Sequence, residues 1–187
     1  MELMIVLAVV GIALAVAIPS FATMRRNARM TGAANDLIAA INLARSEAIK
    51  RQVPVAMCGS ANPRDADPTC SDTLTGWVVW EDTNNDRLVG ADEPVLSSHD
   101  ALDATLTVSD NFAVISYAAT GFPQNLAVPP AILLCDDRGD LAADGRLYRR
   151  IVSVSRTGRP AILKTGPEVT AFAEQEPPPL ESNCNAG

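Results

Sequence analysis

Four groups of side chains in this sequence have types and spacings that could do chemistry. The first is acidic. Counting Asp82 as position 1, Asp82, Asn84, Asp86 and Glu93 fall at positions 1, 3, 5 and 12 of a calcium-loop template, where hard oxygen ligands surround a divalent cation. Position 6 of that template is a turn-forming Gly, whereas here it is Arg87, and the flanks read as strands rather than helices. The expectation is therefore a polar hairpin loop and no metal, with calcium as the alternative. The second group is basic. Arg146, Arg149, Arg150, Arg156, Arg159 and Lys164 lie in a stretch without acids. Such a run suits phosphate contacts as point charges and guanidinium forks, or else forms a solvated strand face that balances acidic loops.

The third group is Cys58, Cys70, Cys135 and Cys184, an even set with no C-x-x-C pair. Structural zinc wants paired Cys or His at short spacing, so disulfides and an oxidising compartment are expected instead. Four cysteines allow three connectivities. The expected one is Cys58–Cys70, closing a short Pro/Asp/Ser-rich loop, with Cys135–Cys184 tying the tail to a strand. A bridge across a loop of this length stabilises by about 3 kcal/mol in the chain-entropy model. The fourth group is a single carboxylate, Glu2, at the edge of a long apolar run. Left unpaired in hydrocarbon it would cost several kcal/mol, so it pairs or stays at the interface.

No catalytic constellation is present. There is no G-x-S-x-G, P-loop or H-E-x-x-H, and the one histidine, His99, reads as a surface loop residue. The chain is expected not to be an enzyme and to carry no cofactor.

The elements that position these groups change along the chain. Residues 3–24 carry no charge over 22 positions, enough for a helix to cross a bilayer core of about 20 residues, and Pro19 should loosen that helix near residues 15–19. No basic residue precedes the run, unlike a cleaved signal peptide. Residues 25–52 continue as an amphipathic helix. Ala33, Leu37, Ile41, Ala44 and Ala48 form its apolar stripe, widened by Ile38, Leu43 and Ile49, and Val53-Pro54 ends it. Residues 53–165 show eight short β-like runs, at 53–58, 77–80, 95–98, 105–109, 113–117, 131–135, 147–154 and 161–163. Residues 166–187 are rich in Pro and Glu and should be extended. One long helix on an antiparallel β-sheet head is an α+β fold. The 187 residues carry a net charge of −7, but the charge is segregated. Residues 25–51 hold six basic and two acidic side chains, and residues 52–145 hold three and fifteen. Net acidity disfavours general nucleic-acid binding, and the basic stretch leaves a local contact open.

The opening MELMIVLAVVGIALAVAIPSF resembles the start of a type IV pilin or pseudopilin, an apolar helix beginning Phe-Thr-Leu-Ile-Glu after processing. Glu2 matches the glutamate at the fifth mature position and Pro19 the helix-loosening proline. The leader, its cleavage glycine and three mature residues would then precede Met1 in the native precursor, where prepilin peptidase would cleave and N-methylate. Further on, LARSEAIKRQVPVAMC, GWVVWEDTNNDRLVGADEPVL and SRTGRPAIL resemble the GspH/FimT family, the minor pseudopilins of type II secretion and type IV pili. The resemblance implies a single-pass inner-membrane subunit with a periplasmic head, incorporated into a filament. Its implied partners are other minor and major pilins or pseudopilins, the assembly platform and prepilin peptidase. Glu2 would pair with a neighbouring subunit's N-terminal amine. Family members serving DNA uptake carry Gly-Arg-x-Arg near the C-terminus. Gly158-Arg159-Pro160-Ala161 matches its first half only, so a DNA receptor is the alternative function.

Overall fold

A computed structural model describes residues 2–124, 128–139, 147–164 and 184, with the backbone alone at positions 2, 5, 8 and 13–19. The expected extended tail at 166–187, Cys184 apart, lies outside the described residues, as does Arg146.

The first element is a single helix, α1 (Glu2–Arg51), whose 50 residues extend about 75 Å. The helix is continuous through Pro19. It ends where Gln52 turns left-handed at φ 60° and the following residue precedes Pro54.

The second part of α1 meets the head. Met30, Ala33, Ala34, Leu37, Ala40, Ile41, Ala44 and Ala48 are buried, and Ile38 packs against the same core. The spacing of three and four residues puts one stripe toward the sheets, and the many alanines let helix and strands approach closely. Ile49, at the margin of the expected stripe, stays 46% exposed.

Eight strands follow: β1 (Val55–Ser60), β2 (Gly76–Glu81), β3 (Val95–His99), β4 (Leu106–Asp110), β5 (Val114–Tyr117), β6 (Ala131–Asp136), β7 (Arg150–Val154) and β8 (Pro160–Leu163). They form not one sheet but two antiparallel four-stranded sheets, ordered β3-β2-β1-β5 and β4-β6-β7-β8. Each expected β-run overlaps a strand. The largest boundary shift is in β7, which begins at Arg150 rather than near 147, and Arg150 Nη1 donates to the carbonyls of Leu147, Tyr148 and Arg149.

One core is shared by the helix and the inner faces of both sheets: Val55, Met57, Trp77 and Val79 from one, Ile132, Leu134, Val152 and Val154 from the other. The outer faces are covered too. Ala56, Cys58, Val78 and Trp80 pack with Cys70 and Val89, while Ala131, Leu133, Cys135 and Ile151 pack with Leu163 and Cys184. Burial on both faces explains why β1 is buried along its whole length instead of alternating. Trp77 and Trp80, three residues apart, enter opposite layers. The disulfides are Cys58–Cys70 and Cys135–Cys184, and each fastens the cover of one outer face. With both bonds formed, their sulfurs are unavailable to zinc.

Candidate functional site

The first candidate is the exposed half of α1. Before Met30 no described side chain on the helix is buried. Leu3, Met4, Val6, Leu7, Val9, Val10, Ile12, Phe21 and Met24 are all exposed, Leu3 and Met4 to 79%. Large apolar residues at this density and exposure mark a surface that is covered by another molecule or by lipid. Glu2 and Pro19 lie on this helix, and their side chains fall outside the described residues. Among the described residues no helix is long and apolar enough to cross a membrane. The expected span at 3–24 includes positions 5, 8 and 13–19, of which the backbone alone is described.

Where α1 reaches the head, the segregated charges meet. Arg26 pairs with Asp137 at 3.0 Å, Arg29 with Asp103 at 3.3 Å, and Arg51 with Glu81 at 2.5 Å. Arg138 donates to Asn27 Oδ1 at 2.8 Å, grips Asp136 through its fork, and lies over the Tyr148 ring at 4.1 Å. Each exposed pair is weak by itself, screened by solvent and salt, and adds to the buried stripe that already holds the helix on the head. The sequence supplied the excess of each sign but not the pairing, which joins residues up to 111 positions apart. Asp103 is held below its ordinary pKa by the Thr105 hydroxyl and amide, with Arg29 assisting.

The basic stretch does not present one continuous face. Arg150 is partly buried, its guanidinium lies against backbone carbonyls, and burial followed by the nearby Arg138 charge lowers its pKa. Arg149 is also partly buried. Arg156, Arg159 and Lys164 are exposed. Arg156 and Arg159 share the β7–β8 turn and make no ion pair among the described residues. That turn is rigidly placed. Ser155 N–H donates to Arg159 O at 2.9 Å, Ser155 Oγ accepts from Arg159 N–H at 3.1 Å, and Gly158 sits at φ +81°. The buried Tyr117 hydroxyl donates to Gly158 O at 2.9 Å, and a Cβ at Gly158 would come within 2.8 Å of the Tyr117 ring. Burial pushes the Tyr117 phenol up to about 12, against a small opposing effect of Arg45.

The acidic loop joins β2 to β3. Asp82 is fully buried and Glu93 is 7% exposed, while Asp86 is exposed. One carboxylate oxygen from each of the three lies within 4.8 Å of the others. Asn84 Nδ2 donates to Asp86 Oδ2 at 2.8 Å and Asp86 N–H to Asn84 Oδ1 at 2.9 Å. Burial raises the pKa of Asp82 and the Glu93 and Asp86 charges add to it, against the lowering effect of the nearby Arg87 and Asp86 backbone amides.

His99 is the last residue of β3, not a loop residue. Its ring stacks on Trp77 with centroids 4.0 Å apart, and Nε2 lies 3.7 Å from Asp36.

The family model described as "Type II transport protein GspH" matches residues 33–158. No curated protein matches the chain. Among solved structures, the type IV minor pilin FimU of Pseudomonas aeruginosa is 22% identical, with a TM-score of 0.47 over 73% of this chain and 87% of that one. The minor pseudopilin EpsH from the Type 2 Secretion System of Vibrio cholerae is 10% identical, with a TM-score of 0.49 over 74% of this chain and 98% of that one. The family match takes in the helix stripe from Ala33, seven complete strands and the turn through Gly158, and this chain belongs to the family of the type II transport protein GspH.

Proposed function

We propose that this chain is a minor pilin or pseudopilin, a structural subunit and not an enzyme, that joins a type II secretion or type IV pilus filament through its N-terminal helix. The observation that carries the reading is the set of apolar side chains described between Leu3 and Met24, all exposed, on a helix whose stripe from Met30 onward is buried in the head. Before assembly, lipid of the inner membrane would cover that surface. In the filament, other subunits' helices would cover it. Two disulfides fit a head exported to an oxidising periplasm.

Glu2 would pair with the N-terminal amine of a neighbouring subunit, offsetting its desolvation cost as the pair forms. The test is Glu2→Ala in cells that build the filament. The expected result is a normal amount of chain in the membrane fraction and strong loss from sheared filaments. Undiminished incorporation would remove Glu2 from the mechanism.

A second reading, DNA contact for uptake, is favoured by the exposed Arg156 and Arg159 on a fixed turn. Phosphate contacts would make binding by the full chain in detergent fall steeply with salt, and Arg159→Ala would weaken it. Absence of binding at low salt would leave the structural reading alone.

A further inference from the structure

The β2–β3 loop holds a local problem that protein atoms do not solve. Asp82 is buried completely at the end of β2. Its Oδ1 accepts from the Arg87 N–H at 3.3 Å, but its Oδ2 is buried without a hydrogen-bond partner among the described residues. A buried, unpaired carboxylate oxygen is costly, and a second and third carboxylate nearby make it costlier. Asp86 and Glu93 supply them, with one oxygen of each residue within 4.8 Å of the others. Glu93 Oε1 accepts from the Thr83 hydroxyl at 3.2 Å and Oε2 from the Gly90 N–H at 3.1 Å. These bonds fix the carboxylate but bring no positive charge. Among the described residues no Lys, Arg or His pairs with any of the three.

We propose that Asp82, Asp86 and Glu93 form a calcium site in the β2–β3 loop, with the orphaned Oδ2 of Asp82 as its buried ligand. A divalent cation would neutralise the cluster and give that oxygen the partner it lacks. The set is all hard oxygen, which suits calcium or magnesium and not zinc. The ligands are spread over a loop of twelve residues, 82–93, which fits the larger and more tolerant shell of calcium rather than a small octahedron.

The main objection from sequence was Arg87 at the position the template gives to Gly. In the structure Arg87 takes the left-handed conformation that a Gly there provides, at φ 64°. The turn is made despite the side chain. The flanking elements remain strands, so this is a calcium loop on a hairpin and not a helix–loop–helix unit. Closure of the loop is already set: Glu81 N–H donates to Pro94 O at 3.1 Å and Asp82 N–H to Pro54 O at 3.0 Å.

The proposal does not depend on what the filament does. Its test is calorimetric titration and thermal melting of the full chain in detergent, first stripped with chelator, then given calcium or magnesium chloride. A Kd of about 0.1–1 mM, the range of extracellular calcium modules, is expected. At 10 mM calcium the midpoint should rise by about 3–10 °C. Asp82→Asn and Glu93→Gln should each abolish the rise, and Arg87→Gly should keep it. Glu93→Gln serves alone if Asp82→Asn does not fold. No heat and no shift with calcium would overturn the proposal. So would an equal response to magnesium, or a calcium response that survives Glu93→Gln.

Discussion

At the scale of single residues, Tyr117 and Gly158 show how this head fixes the β7–β8 turn from a distance. The two are 41 positions apart, yet the Tyr117 hydroxyl is the buried donor to Gly158 O. Tyr117→Phe should cost about 1–2 kcal/mol, because it leaves that carbonyl without its buried partner. Gly158→Ala should cost at least as much, since it adds both a left-handed alanine and a clash with the Tyr117 ring. Urea unfolding of each variant against the parent measures both. The phenol also sets an alkaline limit. Its pKa is raised in the folded state to about 12, from an ordinary value near 10, so folding favours the protonated form. That contribution is fully present below about pH 10 and is lost as pH rises toward 12. The parent should therefore lose stability between about pH 10 and 12 more steeply than Tyr117→Phe, as read by unfolding at stepped pH. Neither partner announces the contact in sequence. A Tyr in a strand and a Gly in a turn are ordinary until the fold brings them together.

At the scale of elements, periodicity carried most of the information. The helical stripe was legible because Ala33, Leu37, Ile41, Ala44 and Ala48 recur at one face's spacing, and all five are buried. The helix end was legible because Pro54 forbids its continuation. The strands were legible as short β-branched runs between turn residues. Their division into two sheets was not, because pairing such as β1 with β5 is set by contacts far apart in sequence. Full burial of β1 was also hidden, since its outer face is closed by the loop that Cys58–Cys70 fastens. Leu37 lies at the centre of the helix-to-sheet contact with no exposed surface. Leu37→Ala should cost about 2–5 kcal/mol, with the cavity adding to the lost transfer energy. A loss below 1 kcal/mol in thermal or denaturant unfolding would mean that the helix is not packed on the sheets as described.

At the scale of the whole molecule, charge and hydrophobicity are divided along one axis. The exposed apolar helix comes first, then a basic collar at Arg26 and Arg29 that binds Asp137 and Asp103 of the acidic head. The collar's arginines follow an apolar run and would by themselves suggest a cytoplasmic flank. In the structure they pair with acidic residues of the head. Under the proposed function, this arrangement would present one helix to neighbours and keep the head outside the filament core. The candidate assembly surface was legible in the sequence from the uncharged run alone. The collar was not, because composition shows an excess of each sign without showing which residues meet.

The account stands most directly on whether that helix contacts other subunits. A photo-crosslinking side chain placed at Leu7, Ile12 or Phe21, each more than 60% exposed in the isolated chain, would read this in cells that build the filament. The predicted result is covalent adducts with other pilins or pseudopilins in sheared filaments from all three positions. Filaments that form without the chain, or that contain it with no adduct at any of these positions, would contradict assembly through the N-terminal helix.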